Sequence, residues 1–205
     1  MTDTARTIEK TIWKDQSFRE IAKTYAADKK FDKAVTVITE ISNQDTKAMT
    51  IRGIGMAIAA IDYTKAEHDT MFQTLRTEAE KLDHPPSYAI ALTYIAMAQA
   101  FAGDNDGAWK TASDMKNHAL RNKAYGETAE IQAEKGDYKS AQVSIERIDS
   151  LAFRNKAYSI VSKILADNAR YTESYAAATA ITNAYKRTGT LQYMLDKQSP
   201  RETKN

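Results

Sequence analysis

Glu127, Glu130 and Glu134 stand at i, i+3 and i+7, a spacing that sets three carboxylates on one side of a helix. Acid–base hydrolysis needs a second acid across a cleft. Here Lys123 lies one turn away instead, as on a solvated helix surface. The histidines His68, His84 and His118 share no i, i+4 spacing with a carboxylate ligand, so no metal set is expected. Gly53-x-Gly55 has neither a third glycine nor a preceding strand, which excludes a phosphate-cradling loop. There is no Cys and no Gly-x-Ser-x-Gly, so thiol catalysis, disulfides, Cys-ligated zinc and a nucleophile elbow are excluded. The chain is expected not to be an enzyme and to need no cofactor.

What remains is the chemistry of surfaces. Arg121, Arg154 and Arg187 form a series at intervals of 33 residues. Such a series is either a ladder of guanidinium groups for an acidic ligand or a repeated bridge to a carboxylate or helix C-terminus.

Composition limits the elements that can carry these residues. Of 205 residues only 7 are Gly and 3 are Pro, too few for a sandwich or barrel that turns every ~8–12 residues. A hydrophobic fraction of 42% with 27% charged residues supports a folded core. The net charge of +2 is evenly spread, with 13 basic and 14 acidic residues in 1–102, which argues against a nucleic-acid track. The uncharged stretch from Tyr88 to Gly103 is shorter than the ~20 residues of a spanning helix, so no membrane span is expected. The N-terminus lacks the apolar core of a signal peptide, which reads as cytoplasmic; a periplasmic chain would look the same once its leader was removed.

A repeat organises the chain. Arg121-Asn122-Lys123-Ala124-Tyr125 recurs as Arg154-Asn155-Lys156-Ala157-Tyr158, and Gly103-Asp104 as Gly136-Asp137, both shifted by 33. The same shift aligns Ala96, Ala129 and Ser162, then Ala108, Ala141 and Ser174, then Met115, Ile148 and Ile181. Each unit reads as two helices. Asn122 to Lys135 ends at Gly136-Asp137, and Tyr138 to Asp149 places Ala141, Ile145 and Ile148 on one stripe. Small residues at Ala129 and Ala141 let the two backbones approach. A period in this range with two helices per unit predicts an all-α fold, a right-handed α-solenoid of about five antiparallel helix pairs over residues 15–187. One domain over 1–205 is expected, with capping helices at 4–14 and 188–198 and a polar tail at 199–205.

The units resemble the tetratricopeptide-repeat family. The likeness rests on an aromatic early in the first helix (Phe18, Tyr125, Tyr158), on Gly-Asp-Tyr at 136–138, and on the alanine of the second helix (Ala34, Ala66, Ala108, Ala141). The closing proline of that family is missing and the period is 33. The resemblance implies binding of proteins or peptides in a concave groove.

The spacing breaks once. Ala66 to Ala108 is 42 residues, so the second helix of unit two, from Thr64 to Leu82, is about two turns longer than its counterparts and ends at Asp83-His84-Pro85-Pro86. The first helices of units two and three are unusually apolar: Ile51 to Ile61 carries only Arg52, and Tyr88 to Gly103 no charge. By register, Ile51, Gly55 and Ala59, and Ile90, Met97 and Phe101, face the inner surface, where later units place Lys123, Glu130, Glu134 and Lys163. Either the chain itself covers this apolar centre or it is an interaction site. The expected function is therefore a scaffold that binds a peptide, helix or protein surface through Ile51, Ile90, Met97, Phe101, Lys123, Glu130, Glu134 and Lys163. Two alternatives remain, a homo-oligomer contact and a site for an apolar small molecule.

Overall fold

The computed structural model describes residues 2–199, and among them it holds twelve helices and no strand. The chain divides into two compact units, residues 1–120 and 121–205. The polar tail expected at 199–205 lies, beyond Ser199, outside the described residues.

The first unit contains α1 (Thr2–Arg6), α2 (Thr11–Ala27), α3 (Phe31–Ile38), α4 (Gln44–Ala59), α5 (Lys65–Glu80), α6 (Pro85–Phe101) and α7 (Asn105–Ser113). α2 packs on α3, α4 on α5 and α6 on α7; α2 also packs on α4, and α4 on α6. This arrangement buries Phe18, Ile51, Ile54, Ile58, Phe72, Leu75, Leu92 and Ile95 completely or almost so. Small residues set the spacing. A Cβ on Gly55 would stand 3.2 Å from the Ala98 Cβ, so α4 and α6 are closely packed there and a side chain would have to push Ala98 back by a few tenths of an ångström.

The helix boundaries follow from local chemistry. Thr64 accepts from the Glu67 N–H while the Glu67 carboxylate accepts from the Thr64 N–H, a capping box that starts α5. α5 has 16 residues against 8 in α3 and 9 in α7, the elongation expected from the spacing. α5 ends at Glu80, and Pro85 begins α6, where a first-turn residue needs no N–H. The N-terminal cap differs from expectation. Thr7 folds back on the Thr4 carbonyl through both its N–H and its hydroxyl and ends α1, so the expected capping helix over 4–14 is divided, and Ile12 and Trp13 open α2 at 65% and 60% exposure.

The second unit contains most of α8 (His118–Glu134), then α9 (Tyr138–Glu146), α10 (Leu151–Asp167), α11 (Tyr171–Thr179) and α12 (Ala184–Gln198). α10 packs on α9, α11 and α12. α12 starts earlier than the expected 188 because Asn183 accepts the Lys186 N–H as its cap.

Three local devices recur along the chain. The first is the turn between paired helices. Lys30, Asp104, Asp137 and Arg170 each donate their N–H five residues back, to Tyr25, Gln99, Gln132 and Leu165, at 2.8 Å. The residue before each donor is left-handed: Lys29 (φ 60°), Gly103 (87°), Gly136 (78°) and Ala169 (57°). The second is a buried clamp. Asp15 accepts the N–H groups of Ser42 and Asn43 at 3.0 and 2.8 Å, Asn122 accepts that of Asp149 at 3.1 Å, and Asn155 that of Thr182 at 2.9 Å. The third settles the arginine series in favour of bridging. Arg154 and Arg187 donate to the carbonyls of Ile148 and Ile181, and Arg121 to the Asp149 carboxylate at 2.9 Å.

Two consequences can be measured by urea denaturation followed by circular dichroism. Asn155→Ala removes the acceptor of the Thr182 N–H, and because Thr182 is exposed and water can take the place of the lost bond it should destabilise by about 0.5–1.5 kcal/mol. Ala169→Gly removes a side chain from left-handed backbone and should stabilise by roughly 0.5–1 kcal/mol, the left-handed penalty less the added chain entropy.

Candidate functional site

α6 carries the longest uncharged surface of the first unit. Ile90, Tyr94, Met97 and Phe101 follow at i, i+4, i+7 and i+11, and all four are half-buried. Tyr94 links this stripe to α4, because the Arg52 guanidinium lies 4.7 Å from its ring centre. On the far side of Arg52, α2 and α4 enclose a depression of about 570 Å³ lined by Arg19, Glu20, Lys23, Met49, Arg52, Gly53, Met56 and Ala57. Glu20 pairs with Arg19 at 3.0 Å and stands 3.8 Å from Lys23. The face is thus an apolar ridge with a basic flank.

Ile51 is fully buried, and Gly55 and Ala59 are buried with it. α4 meets α2, α5 and α6 at once, and Gly55 is spent on Ala98 and Leu75. The open row of α4 is instead Met49, Arg52, Gly53 and Met56. Register from hydrophobicity alone missed this, since an all-apolar helix gives no polar side to point outward. Tyr94 was also missed, although it stands four residues after Ile90 and three before Met97.

In the second unit, Lys123 is exposed and pairs with Glu127 at 3.5 Å, and Glu134 is exposed. Glu130 is half-buried; burial, followed by Glu127, raises its pKa above the usual 4.5, with Lys156 opposing and Glu134 adding to the rise. Lys163 lies 5.2 Å from the Tyr193 ring centre, whose hydroxyl bonds Asp167 at 2.8 Å. Lys197 sits over the same ring and pairs with Asp167 at 2.6 Å, so Lys163 belongs to an α10–α12 contact.

One constellation has the composition of a nucleophilic triad. The Ser87 hydroxyl donates to Asp45 at 2.5 Å and lies 2.7 Å from His84 Nδ1. Its geometry does not suit attack. Ser87 is fully buried, and its hydroxyl is engaged by the Asp45 carboxylate and enclosed away from any substrate. The network ties the N-termini of α4 and α6 together. His68 is in the core: its Nε2 lies 3.0 Å from the Ile58 carbonyl and its ring stacks on Phe72. Among the described residues no group of three His, Cys, Asp or Glu could hold a metal ion, and no helix is long and apolar enough to cross a membrane.

Compared with known proteins, the chain matches no family model, no curated protein and no solved structure.

The raised Glu130 pKa fixes a sign. A carboxyl that holds its proton more tightly when folded favours folding below its unfolded pKa, and that contribution disappears as pH rises through the folded value. Glu130→Gln should therefore stabilise the protein at neutral pH, with the gain over wild type vanishing on acidification below the usual carboxylate range. Thermal melts across pH measure this.

Proposed function

We propose that the protein is a non-catalytic interaction scaffold, a tetratricopeptide-like right-handed α-solenoid that binds a partner protein on the face formed by its first helices. The observation that carries the binding reading is the half-buried, uncharged α6 stripe of Ile90, Tyr94, Met97 and Phe101 beside Arg52. A side chain of that size left partly in water on a long helix loses burial worth roughly 25 cal/mol per Å², which a partner would recover. Methionine adapts to irregular apolar partners, and aromatic and arginine side chains dominate interface energetics. The solenoid reading is supported by the shared register of the turns at Lys29, Gly103, Gly136 and Ala169 and of the clamps at Asp15, Asn122 and Asn155. The triad-like cluster supplies no competing reading, because its serine is enclosed.

The test is affinity capture from cell extract with wild type and the Met97→Glu/Phe101→Glu double variant, each checked by circular dichroism. A partner retained by wild type and reduced at least about tenfold by the folded double variant supports the face as a hot spot. Equal retention by the folded double variant overturns it.

A further inference from the structure

Resting on that interaction reading, we propose that the α2–α4–α6 face of the first unit takes an amphipathic helix of a partner protein whose apolar line is flanked on one side by carboxylates. Three observations specify this occupant. The ridge from Ile90 through Tyr94 to Met97 runs along one helix for roughly 10 Å, about two turns, with the α2–α4 depression beside it. Apolar side chains at i, i+4 and i+7 of a second helix match such a ridge. A partner strand would not, because helix surfaces offer no unpaired backbone edge for it to join.

The flank specifies charge. Of the depression's lining, Arg19, Lys23 and Arg52 are cationic and Glu20 alone is anionic. Glu20 serves two of these cations, Arg19 at 3.0 Å and Lys23 at 3.8 Å. Arg52, exposed on α4, pairs with no carboxylate among the described residues, and its guanidinium is held in place by the Tyr94 ring. A planar, pre-oriented cation at the edge of an apolar ridge is well placed to receive a carboxylate from a helix lying on that ridge. Nucleic acid fits less well. The ridge carries no base of its own, and the Tyr94 face that could stack a nucleobase is already covered by Arg52.

The experiment is fluorescence anisotropy on the full chain with labelled, alanine-based helical peptides of about 18 residues. One carries leucines at i, i+4, i+7 and i+11 with glutamates on one flank. A second replaces those glutamates with lysines, a third replaces the leucines with serines, and a single-stranded RNA oligonucleotide is the fourth probe. The glutamate–leucine peptide should bind at least about tenfold more tightly than any of the others, with affinity falling as salt rises. Arg52→Glu should reverse the preference toward the lysine peptide, Arg52→Gln should abolish most of the preference, and Met97→Glu should weaken binding of the glutamate–leucine peptide. Sensitivity to Met97→Glu with equal affinity for glutamate and lysine peptides overturns the acidic partner while leaving the interaction face standing. Binding to no peptide, or tighter binding of RNA, overturns this inference outright, and the capture experiment with the double variant then judges the interaction face separately.

Discussion

A helix of eight or nine residues has almost as many unsatisfied backbone ends as it has residues, since four N–H groups and four carbonyls find no partner inside it. α3, α7, α9 and α11 are all of this length, and the structure is organised around completing them. Asp104 and Asp137 accept N–H groups in the first turns of α7 and α9. Carbonyls beyond the ends of α9 and α11 take Arg154 and Arg187, and the N–H groups after them go to Asn122 and Asn155. α5, twice as long as α3, carries its own capping box. Short second helices thus oblige the first helices to carry buried polar groups, which explains why Asp15, Asn122 and Asn155 sit in otherwise apolar surroundings.

The same economy shapes the interiors of the helix pairs. Ala129 and Ala141 are fully buried and let α8 and α9 approach, while the aligned Ser162 and Ser174 hydrogen-bond to each other across α10 and α11. One turn further along, Gln132 and Ser144 are joined at 2.6 Å and Gln99 and Thr111 at 2.7 Å, where the last pair has Leu165 and Ala177. The polar contact has moved by one turn between neighbours without leaving any partner unmade. Arg170 shows a related exchange. It stands where Asp104 and Asp137 cap their helices, and it reaches the Gly136 carbonyl and Glu173 instead.

Much of this was readable from residue spacing. The all-helical class, the helix pairs around Gly136-Asp137 and the elongation of α5 follow from periodicity and from helix-stop chemistry. Two things were not readable. Lys29 and Ala169 occupy left-handed turns without the glycine that marks Gly103 and Gly136, so the turn itself carried no signal there. The open row of α4 was misplaced because Ile51, Ile54 and Ile58 leave no polar side to mark the outside, and only packing against α2, α5 and α6 decides which side is enclosed. The clamp was half visible: the repeated Arg-Asn pair drew attention to its charge, whereas the asparagine does the burying.

The clamps also bear on how the chain folds. Each joins residues only 27 or 28 apart, so the loop that must close before the bond forms is short and its entropic cost small. Contacts of such low sequence separation favour rapid assembly from local pieces, with any one hairpin able to gather before the others. Opening should be equally piecemeal. The bonds to the Asp149 and Thr182 amides are the ones whose loss would let a single hairpin open, which amide hydrogen exchange would read.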